Sequence, residues 1–251
     1  MDDPFPFLSW DRTAPPPVYV TTLGAFEVYI GLQPADWKCG TGTQQLRRML
    51  SYLIARRGRP VQREVLTEIA GGRSDRPGHV VSNLLRLLKK QWGMEAALGE
   101  RGQAILLLPH PTWKTDTDFL VDRYNQAQEA LQREQYARSL TLLQQAETLC
   151  QGRYLPSYDA RPDYSIEGER GSWCHMQKQV LEQQVRLCLE LGEPSYHEQA
   201  LRVVGRLIDF DPGNPASYEL GAVVARCCHN ETLAREYERK AREIEQEELF
   251  S

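Results

Sequence analysis

Residues 79–92 read His79-Val80-Val81-Ser82-Asn83-Leu84-Leu85-Arg86-Leu87-Leu88-Lys89-Lys90-Gln91-Trp92. Val80, Val81, Leu84, Leu85, Leu87 and Leu88 recur at helical spacing, and the polar positions between them carry Ser82, Asn83 and three cations. Gly93 closes this helix. Upstream, Thr43 is a candidate N-cap, and Leu46, Met49, Leu50, Leu53 and Ile54 make one apolar helical face that stops at Gly58. Pro60 opens a short second helix with Val61, Val65, Leu66 and Ile69 inside, and Gly71-Gly72 and Pro77-Gly78 bracket the turn into 79–92. Downstream, Ala104–Leu108 reads as a strand, paired as a hairpin with the segment before Gly99. Further upstream, Val18 to Ile30 reads as strand, turn at Gly24, and strand. Three helices followed by a hairpin make a winged helix-turn-helix plan, in which the third helix enters the DNA major groove.

Charge follows the same division. The 251 residues carry 30 Lys+Arg and 34 Asp+Glu, a net −4. Residues 1–114 sum to +5 and residues 115–251 to −9, while 44–90 alone hold 11 basic against 3 acidic side chains. A short segment of +8 is the footprint that a polyanion requires. No run approaches the length of apolar sequence that spans a membrane. The start of the chain lacks the features of a secretory signal, and the six cysteines form no Cys-x-x-Cys pair, so a reducing, cytoplasmic setting is expected. Residues 1–17, ending in Pro15-Pro16-Pro17, are expected to be a flexible arm.

From Asp116 the pattern is helical throughout. Ala200 and Ala234 lie 34 residues apart, and Asp209 to Pro215 breaks one helix and begins the next. Tyr136-Ala137 opens an earlier unit that runs through Leu140, Leu143, Ala146 and Leu149. Residues 152–171 read as a long loop, and Ser172 to Leu191 as a long helix. Helical hairpins of this kind bury their apolar stripes only by stacking. The expected architecture is mainly α with a small β component: an arm at 1–17, a winged-helix domain at 18–114, and a tetratricopeptide-like domain at 115–251.

These pieces resemble a known family. Thr22-Leu23-Gly24-Ala25-Phe26-Glu27-Val28, the run from Leu50 to Leu66, and Asn83 to Lys90 match its first domain. Asp118-Phe119, Tyr136-Ala137, Gly152-Arg153-Tyr154-Leu155-Pro156 and Asp211-Pro212 match its second. The chain resembles the actinobacterial-type antibiotic regulatory proteins. These join a response-regulator-type winged helix to a bacterial transcriptional activation domain of tetratricopeptide-like helices. The resemblance implies a transcriptional regulator that binds duplex DNA and contacts a protein partner, either RNA polymerase or another transcription factor.

No catalytic constellation is present: there is no Gly-x-x-x-x-Gly-Lys, no His-Glu-x-x-His and no Gly-x-Ser-x-Gly. Adjacent cysteines on a helix chelate poorly, so no metal site is expected at Cys227, Cys228 and His229, and no cofactor elsewhere. Asp163, Glu167 and Glu169 read as a solvated acidic loop. On the DNA-binding reading, Ser82, Asn83 and Arg86 are the candidates for base edges, since Asn pairs with adenine and Arg with guanine. Lys89, Lys90, Arg47, Arg48 and Arg101 would meet phosphates. The alternative is a receptor that has kept the fold and binds a small nucleotide, such as a cyclic dinucleotide, through Arg59, Arg63, Arg73 and Arg76, and acts through a partner protein.

Overall fold

The computed structural model describes residues 5–11, 16–39, 41–71, 77–159 and 161–250. It is mainly helical with a small sheet component. The chain divides into two compact units, Met1–Leu120 with Gln151–Trp173, and Val121–Cys150 with Cys174–Ser251.

The first unit begins with a short helix, α1 (Leu8–Asp11), and the strands β1 (Val18–Thr21), β2 (Glu27–Ile30) and β3 (Gln33–Pro34). Helices α2 (Thr43–Ala55), α3 (Arg63–Ala70) and α4 (Pro77–Arg86) follow, with β4 (Val61–Gln62) between the first two. A wide π-type turn, Leu87–Gln91, extends α4, and a 3-10 turn, Glu95–Ala97, leads to β5 (Leu98–Arg101), β6 (Ala104–Leu107) and β7 (Trp113–Thr115). One sheet has the order β3-β2-β1-β7, antiparallel except where β7 runs parallel to β1 with Val18 opposite Trp113. The other has the order β4-β6-β5, in which β5 and β6 form the hairpin through Gly102 at φ 61. The expected apolar faces converge: Leu46, Met49, Leu50, Leu53, Leu66, Val81, Leu84, Leu87, Leu88 and Ile105 are all fully or nearly fully buried. Burying these side chains supplies about 1.5–3 kcal/mol each.

Five details depart from the sequence reading. Helix α2 is capped by Gly42, with Thr43 as its first residue, and Gly99 lies inside a strand. The N-terminal segment is packed: Phe7 is 2% exposed and stacks on Phe119 at 4.2 Å, while Phe5 and Phe7 both meet Tyr19. Aromatics so placed cover the outer face of a sheet that would otherwise be wet, which the proline run masks in sequence. β7 is too short to carry a period and forms by pairing to β1. Finally, the helix expected from Ser172 starts at Glu167. Arg170 anchors that start by donating to the carbonyls of Tyr154, Leu155 and Tyr158 at 3.1, 2.9 and 2.6 Å.

Residues 151–155 add to the first unit by close backbone approach. Gly24 N–H donates to the Arg153 carbonyl at 3.0 Å, and Leu155 N–H to the Thr22 carbonyl at 2.6 Å. Gly24 holds φ 72, and a Cβ there would sit 2.3 Å from the Gln151 carbonyl oxygen. Beside it, buried Asp116 accepts from the N–H groups of Thr22, Leu23 and Thr117 and from the Thr22 hydroxyl. Burial pushes its carboxyl up to about 6 against the pull of those hydrogen bonds.

The second unit is helical. α5 (Asp116–Gln132) runs into it from Val121, and α7 (Glu167–Leu191) from Cys174. α6 (Tyr136–Leu149), α8 (Pro194–Phe210), α9 (Pro215–Cys227) and α10 (Glu231–Phe250) complete it. Pro194 and Pro215 begin their helices, and Asn214 Oδ1 caps α9 from the Ala216 N–H at 3.1 Å. The ends of α5 and α9 share one geometry. Glu134 and His229 take positive φ, and Gln135 and Asn230 donate back to Ala130 and Ala225, both at 2.9 Å. Ala200 and Ala234, the pair 34 residues apart, are both fully buried.

A charged cluster ties α6, α7 and α8. The Glu147 carboxylate, 5% exposed, accepts from Arg202 at 2.8 and 3.2 Å, from Arg206 at 2.7 Å and from Gln184 at 2.9 Å. Burial alone would raise its pKa, but Arg202, Gln184 and Arg206 together hold it below the usual carboxylate value.

Candidate nucleic-acid interface

Helix α4 and the turn that extends it face their apolar side inward and leave His79, Ser82, Arg86 and Lys90 exposed, at spacings of three and four residues. Polar groups of α4 and of Trp92 beyond it also hold the segment that precedes α2. Asn83 Nδ2 donates to Thr41 Oγ1 at 2.8 Å, and Arg86 donates to the Cys39 carbonyl at 2.9 Å. Trp92 packs edge-on against Trp37 at 4.8 Å, and its indole N–H reaches the Asp36 carbonyl at 3.3 Å. Asn83 is therefore half-buried and partly committed, whereas Arg86 is exposed and spends one bond on this loop. A guanidinium has five donors, so most of Arg86 stays available.

A second cationic group forms against the hairpin. Lys89 and Arg63 both bind Glu100, each at 3.1 Å. The Lys89 hydrogen bond, with Arg63 beside it, holds the Glu100 carboxyl below its ordinary range. Two cations share one anion here, so the cluster stays net positive. It joins the third helix, the start of α3 and the hairpin strand β5.

The remaining candidates are dispersed. Lys90 and Arg59 are exposed, with no side-chain partner among the described residues. Arg47 is a packing residue: it pairs with Glu27 at 3.0 Å, bonds the Phe26 carbonyl, and lies over the rings of Phe26 and Trp37 at 5.3 and 5.6 Å. Arg48 is half-buried and lines a cleft of about 400 Å³ with Glu68, Arg161 and Tyr164. The side chain of Arg101 and all of Arg73 and Arg76 lie outside the described residues. The structure thus brings Ser82, Arg86, Lys89, Lys90 and Arg63 near one helix and hairpin, commits Arg47 to packing, and leaves Arg48 outside that group.

Two arginines within the basic segment serve the fold. Arg57 grips Asp118 with both terminal nitrogens, at 2.9 and 2.6 Å, and lies over the Trp113 ring at 5.2 Å. Arg56 pairs with Glu169, which the sequence placed in a solvated loop. Their partners lie 61 and 113 residues away, and no local signal announces them. Sequence reasoning missed Glu100, the anion that fixes Lys89 and Arg63; its place opposite the third helix depends on the hairpin.

The sequence matches no family model and no curated protein. In fold, the chain resembles Mycobacterium tuberculosis EmbR. The similar structure is of EmbR in complex with a low affinity phosphopeptide, with a TM-score of 0.70 at 16% identity. The match covers 89% of this chain and 58% of that one, so this chain spans little more than half the length of its neighbour. At that identity the likeness speaks for the fold. Among the described residues, no helix is long and apolar enough to cross a membrane, and no group of three or more His, Cys, Asp or Glu is placed to hold a metal ion.

Proposed function

We propose that the first unit is a winged helix-turn-helix that binds duplex DNA, and that the chain is a cytoplasmic, non-enzymatic transcriptional regulator. The observation that carries the reading is the exposed stripe of α4, His79, Ser82, Arg86 and Lys90, beside a hairpin joined to it by the Lys89–Glu100–Arg63 cluster. In this reading α4 enters the major groove, Ser82 and Arg86 face base edges, and Lys90 meets a phosphate. Asn83 supports the helix from behind through Thr41 rather than reading a base. The likeness to EmbR supports a regulator of this architecture, and the phosphopeptide bound in that structure supports a protein partner. We assign to that unit a tetratricopeptide-like role in receiving a signal or contacting RNA polymerase or another transcription factor.

The test is fluorescence anisotropy of a mixed-sequence duplex, titrated with the full chain over a range of salt. Binding should weaken linearly on a log–log plot, with a slope of about −0.9 per phosphate contact. An absence of duplex binding at low salt, together with stabilisation by a cyclic dinucleotide or another nucleotide, would overturn the proposal in favour of the receptor reading through Arg59, Arg63, Arg73 and Arg76.

A further inference from the structure

The helical unit contains a cavity of about 910 Å³ between the exposed face of α8 and the turn from α9 to α10. Its apolar lining includes Leu201, Cys227 and Cys228, and its polar lining is His197, Glu198, Arg202, His229 and Asn230. The volume falls in the range of small-molecule sites, about 300–1,000 Å³. Burial, with Cys227 and Glu198 nearby, raises the Cys228 thiol above its ordinary value, so this group presents a neutral, apolar surface.

The two charged residues are one helical turn apart, with the glutamate on the N-terminal side, the arrangement that ordinarily forms an ion pair. Here it does not form. Arg202 turns to the buried Glu147, at 2.8 and 3.2 Å. Glu198 has no ion-pair or hydrogen-bond partner among the described residues. Arg202 uses two of its five donors on Glu147 and its side chain is 56% exposed, so a donor edge remains open. Asn230 spends its carbonyl on the Leu233 N–H at 3.1 Å and keeps its amide donors. The cavity therefore offers an exposed, unpaired carboxylate and an open guanidinium edge one helical turn apart, beside Leu201 and the two cysteines. A simple anion would meet Glu198, and a simple cation would meet Arg202. A zwitterion satisfies both.

We propose that this cavity binds a free α-amino acid with a large apolar side chain. Its ammonium group sits on Glu198, its carboxylate on Arg202 and the Asn230 amide, and its side chain on Leu201 and the adjacent cysteines. Because Arg202 also holds Glu147, occupancy is coupled to the cluster that ties α6, α7 and α8.

The full chain is titrated calorimetrically with L-phenylalanine, L-tryptophan and L-leucine, and with phenethylamine and 3-phenylpropanoate, which each lack one charge. At least one amino acid should bind saturably at millimolar concentration or below. Each single-charge analogue should bind at least about tenfold more weakly than L-phenylalanine, or about 1.4 kcal/mol. Glu198→Gln, an exposed change that circular dichroism should show to be folded, should weaken the amino acid by about tenfold and leave 3-phenylpropanoate unweakened. Three results would each overturn the proposal: no saturable heat from any of the three amino acids, an analogue that binds as tightly as its parent, or an unchanged affinity in Glu198→Gln.

Discussion

Replacing Glu147 by glutamine removes one negative charge from the centre of the helical unit and leaves the shape of the side chain intact. Two guanidiniums then face each other without their shared anion. Gln184 loses little, because its own carbonyl oxygen has no partner and the amide can turn to accept from the new one. The loss therefore falls on Arg202 and Arg206. Deleting one member of a buried ion pair costs about 3–5 kcal/mol. The side chains of Arg202 and Arg206 are 56% and 36% exposed and can move to water, while Glu147 is 5% exposed. That solvent access reduces the expected cost to about 2–3 kcal/mol. In urea, with a slope of about 2–3 kcal/mol per molar, the midpoint should fall by about 1 M. The pH dependence supplies a second reading. Glu147 has a folded pKa below its unfolded value of 4.5, so its contribution is fully present above 4.5 and is lost as pH falls through the folded value. The gap between wild type and Glu147→Gln should be constant near neutrality and close in acid. Urea melts of the full chain, followed by circular dichroism at several pH values, measure both. A midpoint shift of a few tenths of a molar, or a gap that persists unchanged in acid, would refute the assignment of Glu147 as the charge that holds α6, α7 and α8 together.

Further outcomes follow from the same contacts. Lys90→Ala should reduce the salt slope of duplex binding by about one and weaken all sequences alike, whereas Arg86→Ala should cost about 1–3 kcal/mol and relax specificity; anisotropy against a selected and a scrambled duplex separates the two. Phe7→Ala should destabilise the first unit by about 3 kcal/mol in chemical denaturation, because a buried stacked ring leaves a cavity, whereas a free arm would show no change. Gly24→Ala should cost at least about 2 kcal/mol, more than Gly31→Ala, because both positions have positive φ but only the first would press a methyl into backbone. Thermal melts of the two variants side by side measure the difference.

The helices of both units were legible in the sequence because burial on one face imposes a helical period, as at Leu46 to Ile54 and Val80 to Leu88. The breaks were legible too, at Gly58, Gly93 and Asp209 to Pro215, because glycine and proline act through local backbone geometry. The N-terminal aromatics, β7 and the first turn of α7 were not. Each is held by partners distant in sequence: Phe7 by Phe119, Trp113 by Val18, Arg170 by three carbonyls of the preceding loop.

The site divides along the same line. Sequence located the basic segment and named the third helix, because charge and amphipathic period survive without a fold. It could not rank the arginines. A guanidinium's availability depends on which anion or carbonyl lies within reach, and Arg47, Arg56 and Arg57 meet Glu27, Glu169 and Asp118 only after strands and helices close. Nor could it anticipate that the pair at Glu198 and Arg202 stays open, since Glu147 arrives from another helix to take the arginine. Period, caps and charge balance are local properties and belong to the sequence. Which charges are spent and which remain for a ligand is a matter of distance, and the tertiary structure alone decides it.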